Sequence, residues 1–269
     1  MIPSAAATHG LARHGAGAAL MLILAFTIVG CAAAPSANPS PTTAGTNEAA
    51  ASVAPSPTGR PRCPVWPPER GGACLGVLSA GTHSTTAFTP PFTYTVPAGG
   101  WSNFEDRDGI FLLVPPGFTL AGVDAGGSDY IGIYTSVAAA NADCTESEQP
   151  GVAHTAAALA AEFANRPGLT TTTPTPVSVG GLQGLVLDIR LAEGWTQTCF
   201  YSGGNPVVPL IRGVGNTSGL DTPIGPGFMM RLYLADHSGT TLAIELGDNS
   251  GGTHLDAYSA IVDQLHFGS

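Results

Sequence analysis

The chain has 269 residues, 9 basic and 19 acidic, for a net charge of −10, and every basic residue is an arginine. That balance argues against nucleic acid as a partner and against a basic membrane-docking patch. Only 10% of residues are charged, while Gly and Pro number 36 and 23, which excludes an ordinary helical bundle and favours a turn-rich domain containing β-structure.

Among residues 1–14, Arg13 is the only charged side chain besides the histidines, and the run "GAGAALMLILAFTIVG" (15–30) has none. A bilayer-spanning helix needs about 20 apolar residues, so this shorter run with small residues at its end predicts a secretory signal, with an N-terminal transmembrane anchor as the alternative. The four residues Ile28-Val29-Gly30-Cys31 resemble the bacterial lipobox. The resemblance implies that residues 1–30 are cleaved as a signal peptide. It implies that Cys31 becomes the N-terminus with a diacylglyceryl group on its sulfur, and that the chain is lipid-anchored at the extracytoplasmic face of a cell membrane. Two or three acyl chains anchor stably where one does not, at about 0.8 kcal/mol per buried methylene. Cleavage removes one Arg, leaving 8 against 19 acids, or −11. From Ala32 to Arg62, 27 of 31 residues are Ala, Ser, Pro, Thr, Gly or Asn. Such a segment buries too little apolar surface to fold, so residues 31–62 are read as a disordered tether spanning roughly 30 Å.

Residues 63–87 read as an irregular N-terminal extension, and residues 88–269 as the folded domain. "FTYTV" (92–96) alternates as a half-buried strand, "SNFEDRDG" (102–109) reads as a turn-rich link, and "IFLLV" (110–114) is a second apolar run. "DYIGIYTSVAAA" (129–140) predicts another strand. In "HTAAALAAEFANRPG" (154–168) the period changes to helical, with Leu159 and Phe163 on one face and a stop at Arg166-Pro167-Gly168. A long strand follows, with Leu185, Leu187, Ile189 and Leu191 on one side. "FMMRLYLADHSGTTLAIELGD" (228–248) predicts a hairpin turning at Ser238-Gly239. In "THLDAYSAIVDQLHF" (253–267), Leu255, Tyr258, Ile261, Val262 and Leu265 form a helical stripe, and Thr253 with Asp256 resembles a capping box. Strands, a helix, strands and a terminal helix predict an α+β domain, an antiparallel sheet flanked by helices.

With Cys31 assigned to lipid, four cysteines remain. An even number in an exported chain predicts two disulfides out of three possible pairings, and Cys63–Cys74 with Cys144–Cys199 is the favoured one.

"TYTVPAGGW", a helix ending in "NRPGL", "VSVGGLQGLVLDIRL" and a terminal amphipathic helix resemble the PsbP-like α/β/α sandwich family, which includes exported actinobacterial lipoproteins. The likeness spans residues 88–269. The glycine pair before Trp101 and the long Gly/Pro-rich stretch 193–227 depart from it. The resemblance implies a mostly non-enzymatic accessory or binding role and carries no active site across.

No segment matches a nucleophile elbow, a zinc-peptidase helix, a phosphate-binding loop or a dinucleotide fingerprint, and nothing in the pattern requires a cofactor or a metal. "EDRDG" (105–109) departs from an EF-hand at Ile110 and Gly117 and reads as a solvated hairpin turn. His254 with Asp256 and Ser259, or His237 with Asp236 and Ser238, are the only groupings that suggest a triad. The stretch 193–227 joins two strands and is too long for an idle loop. It is expected to be ordered along one edge of the sheet. Either it is a loop stapled down to cover the sheet edge, with Trp195 and Phe200 simply packed, or Trp195 and Tyr201 form apolar walls of a recognition surface, with Arg212 as an anion contact. The expected function is therefore a membrane-anchored binding or accessory protein for an unknown protein or small-molecule partner. An extracellular hydrolase and a structural accessory of a membrane complex are the alternatives.

Overall fold

The structure, a computed structural model, describes residues 76–117 and 127–268. The signal segment 1–30, Cys31, the tether 31–62 and the Cys63–Cys74 pair lie outside the described residues. Among the described residues, no helix is long and apolar enough to cross a membrane.

In chain order the strands are β1 (Gly76–Val77), β2 (Gly81–Ser84), β3 (Phe92–Val96), β4 (Ser102–Arg107), β5 (Ile110–Val114), β6 (Tyr130–Tyr134) and β7 (Val137–Ala139). Helix α1 (Ala156–Asn165) follows, then β8 (Leu169–Thr171), β9 (Thr175–Val179), β10 (Leu182–Leu191), β11 (Val208–Gly213) and β12 (Asp221–Ile224). β13 (Met229–His237), β14 (Thr240–Asp248), α2 (Leu255–Val262) and β15 (His266–Phe267) complete the domain. The main sheet runs β1-β4-β5-β6-β14-β13-β10-β8, with β9 also pairing β10, and all its pairings are antiparallel. Two three-stranded sheets, β12-β11-β7 and β15-β3-β2, accompany it. The domain is α+β.

The central hairpin shows why there are layers on both sides. Ser238 and Gly239 both take positive φ, 50° and 81°, the backbone that a tight two-residue hairpin turn requires. Across it, Met230, Leu232 and Leu234 of β13 face one way with Leu187 and Ile189 of β10, against α1 and the β11 sheet. Leu242, Ile244 and Leu246 of β14 face the other way with Tyr233, against α2 and β3. Helix α1 buries Ala156, Leu159, Ala160 and Phe163, a stripe at helical spacing. Full burial of Leu159 or Phe163 contributes about 1.5–3 kcal/mol each. Thr155 caps α1 through Ala158 N, and Asp236 of β13 accepts from Ala156 N at 2.7 Å. The extended Arg166 ends it before Pro167, as the residue preceding proline tends to. The buried Arg166 guanidinium donates to Glu162 and to the Pro209 carbonyl, tying α1 to β11.

Four sequence expectations are corrected. Residues 102–107 are a strand rather than a link: the inward side chains Asn103 and Asp106 are polar, so the alternation is invisible to hydrophobicity. Asp106 is not in a solvated turn. It is fully buried and accepts from Thr86 N, Thr86 Oγ1, Ala87 N and Phe88 N at 2.6–3.1 Å. Residues 76–87 are not irregular, since β1 pairs β4 and β2 pairs β3. Thr253 and Asp256 form no capping box. Asp248 accepts from His254 N at 2.6 Å, while Asp256 is drawn to Arg231.

Asp106 holds the 86–88 segment to the sheet edge with all four of its hydrogen bonds. Replacing it with alanine leaves three backbone amides without their acceptor, the Phe88 amide among them buried, and Asp106→Ala is expected to lower unfolding free energy by about 3 kcal/mol, measured by urea titration.

Candidate functional site

The stretch 193–227 is ordered, as expected, but lies over a face of the sheet and not along its edge. The reason is its apolar run "VVPLI" (207–211), which is a buried strand: Leu210, Ile211 and Ile224 pack with α1 and the main sheet. β11 pairs β12 on one side and β7 on the other, so the segment forms a covering sheet.

At one end of this covering sheet the Cys144–Cys199 disulfide is formed, with the two Cα atoms 5.4 Å apart. It joins the loop after β7 to the turn before β11. That turn is held by Ser202, whose hydroxyl oxygen accepts from Cys199 N and whose proton goes to the nearer carbonyl, that of Asn205, at 2.7 Å. The loop after β7 is held by Asp143, which accepts from Thr145 N and Oγ1; those bonds keep its carboxyl below the usual range. Next to the disulfide stand Phe200 and Tyr201, edge to face at 5.1 Å and exposed by 74% and 44%.

Tyr201 is one wall of a pocket of about 250 Å³. Buried Ala140, Pro209 and Ile211 and the more exposed Pro223 give it apolar surface, while Thr145, Glu146, Asp221 and Thr222 give it polar surface. Arg212 pairs Asp221 in the β11–β12 register, and its Nη1 donates to Asp221 Oδ1 at 2.8 Å. Partial burial raises the Asp221 carboxyl, Arg212 pulls it down, and Glu146 raises it. Burial, then Asp221 and Glu146, raise the Tyr201 hydroxyl. Of the three residues singled out from sequence, Tyr201 lines the pocket and Arg212 sits one residue away from it through Asp221. Trp195 stands apart as a half-buried side chain whose indole donates to the Val207 carbonyl at 3.1 Å.

Behind the pocket lies a group that the sequence did not announce. Glu245 of β14 is fully buried; Thr222 of the pocket wall donates to its Oε1 and Tyr130 to its Oε2, both at 2.8 Å. Its cross-strand neighbour on β6 is Gly132. A Cβ at that position would stand 2.1 Å from the Tyr134 hydroxyl, so glycine is required for that ring to lie over the strand. Burial first, and Glu245 next, raise the hydroxyls of both Tyr130 and Tyr134. Burial pushes the Glu245 carboxyl up to about 7, against the pull of its two hydrogen bonds.

A second polar cluster joins the ends of β6 and β14 to α2. Asp129 accepts from Asn249 N, Tyr258 Oη and His254 Nδ1 at 2.7–2.9 Å, and Asp248 accepts from Ser250 N and His254 N. The ligand atoms of Asp129, Asp248 and His254 lie within 4.8 Å of one another, close enough for a cation. Every carboxylate oxygen there already has a protein donor, so the cluster works as a fastening for the α2 N-terminus. His254 is thus held by Asp129 and not by Asp256. Ser259 donates to the Leu255 carbonyl and bonds Arg231 and Tyr233, so His254, Asp256 and Ser259 are not brought together as a triad. Asp236, beside His237, is engaged in capping α1.

No family model matches the sequence, and no curated protein does. Solved structures to which the chain is similar include the solution structure of cyanobacterial PsbP (CyanoP) from Synechocystis sp. PCC 6803, at 11% identity and a TM-score of 0.35, covering 74% of this chain and 99% of that one. A crystal structure from Bacteroides thetaiotaomicron VPI-5482 is similar at 12% identity and a TM-score of 0.34, covering 71% of this chain; the chain spans 50% of its length.

Glu245 makes stability depend on pH. In the unfolded chain it ionises near pH 4.5, whereas in the folded state it holds its proton up to about pH 7. Its contribution is therefore whole below about pH 4.5 and is lost as pH rises to about 7. Glu245→Gln is expected to be more stable than the parent at pH 8 by up to about 3 kcal/mol, with the difference closing toward pH 4, in denaturant titrations across that range.

Proposed function

We propose that this protein is a lipid-anchored, extracytoplasmic binding protein. Cys31 carries the acyl chains, residues 31–62 act as the tether, and a PsbP-like α/β/α domain presents a recognition site without performing chemistry. The observation that carries this reading is the pocket beside the Cys144–Cys199 disulfide, with the exposed Phe200–Tyr201 pair at its side. Two exposed aromatic rings in contact offer apolar surface that folding has not used. The disulfide and the Ser202 turn fix them before any partner arrives, which lowers the entropy cost of binding. A structural disulfide also accords with an oxidising compartment outside the cytoplasm. The helices on opposite faces of the sheet and the order of elements support the PsbP-like arrangement.

Two measurements test the reading. Mass spectrometry of the chain made in a bacterium is expected to find a mature N-terminus at Cys31 bearing a diacylglyceryl group; an unmodified thiol or a retained leader overturns the anchor. Fragment screening by methyl NMR on the full chain is expected to place hits at the Ile211 and Thr222 methyls, and to lose them in Tyr201→Ala with the fold intact. Hits spread over other surfaces, or none, overturn the site.

A further inference from the structure

The polar atoms around the pocket share one property. Thr222 donates its hydroxyl proton to Glu245 at 2.8 Å, and Thr145 donates its own to Asp143 at 2.6 Å. Both hydroxyl oxygens are left with lone pairs alone to offer, one of those of Thr145 already engaged by the Ser147 hydroxyl at 2.9 Å. The charged side chains that line the pocket, Glu146 and Asp221, are acceptors when ionised. Arg212, the cation beside them, is spent on Asp221 Oδ1 and is not part of the lining. Among the lining side chains, Tyr201 alone has a proton to give; burial first, then Asp221 and Glu146, raise its hydroxyl.

We propose that the pocket takes a primary ammonium group on a short alkyl stem. This deepens the binding role argued above and rests on it. An ammonium is donor-only, with three N–H groups to set against a lining that accepts. Its methylenes lie against Ala140, Pro209 and Ile211, and Tyr201 supplies an aromatic surface for the charge. An anion meets Glu146 and Asp221. A neutral apolar ligand covers Asp221, whose carboxyl burial already disfavours, and offers it nothing. A guanidinium fork binds best to both oxygens of one carboxylate, and at Asp221 Arg212 already occupies one of them. A point charge with rotatable donors needs only the other. Two sources present this chemistry: a free alkylamine, or a lysine side chain of a partner protein.

The test uses the full chain in nanodiscs at pH 8 and low salt, where Glu245 is ionised and Thr222 is committed to it. The probes are n-butylamine, Nα-acetyl-lysine N-methylamide, n-butanol, Nα-acetyl-norleucine N-methylamide and butyrate, followed at the Ile211 and Thr222 methyls. Both ammonium probes are expected to shift these methyls and to bind at least tenfold more tightly than their neutral counterparts. Affinity is expected to fall about tenfold in Glu146→Gln and in Asp221→Asn, the cost of losing one charge-assisted contact, and to stay unchanged in Glu148→Gln. Tighter binding of the lysine derivative points to a protein partner, and tighter binding of butylamine to a free amine; either supports the inference. Equal binding of the neutral probes, or preference for butyrate, overturns the ammonium while leaving the pocket as a binding site. No shift with any probe overturns both.

Discussion

Both faces of the β13–β14 hairpin are apolar, and neither can be left to water. Met230, Leu232 and Leu234 load one face, while Leu242, Ile244 and Leu246 load the other. The antiparallel pairing of these two strands fixes all six positions at once, because a slip of one residue would turn each set to the wrong side. The rest of the domain is the consequence. Helix α2 with β3 covers one face, and α1 with the β7-β11-β12 sheet covers the other.

The second cover brings the pocket into being. β12 lies where Thr222 reaches down to Glu245 on the main sheet, while the same residue lines the pocket. The disulfide at the end of this layer fastens the loop carrying Thr145 and Glu146 to the turn carrying Phe200 and Tyr201. Pocket and buried acid are therefore two sides of one thin layer.

Regular apolar alternation was legible. It located β3, β10 and the β13–β14 hairpin, a continuous apolar run located β5, and helical spacing located α1 and α2. What escaped reading has a common physical origin, which is burial of polar side chains. Asp106 and Asn103 disguise β4 as a loop because their partners are amides and hydroxyls distant in sequence. Glu245 sits on the face of β14 opposite Leu242, Ile244 and Leu246, and alternation alone makes that face look wet. The warning was the apolar character of both faces of the hairpin, which demanded a second cover. Tyr201 and Arg212 were found because aromatic and basic residues stand out in a Gly/Pro-rich stretch; Glu146 and Asp221 were not, since only the disulfide and the β11–β12 pairing bring them to the same pocket.

Gly132 and Tyr134 carry a consequence for how this sequence varies through descent. The ring above position 132 leaves no room for a methyl group, with the hydroxyl 2.1 Å from where one would be. A larger residue there calls for a smaller one at position 134. Positions 132 and 134 are therefore expected to covary as a unit, a small residue at one going with a ring at the other.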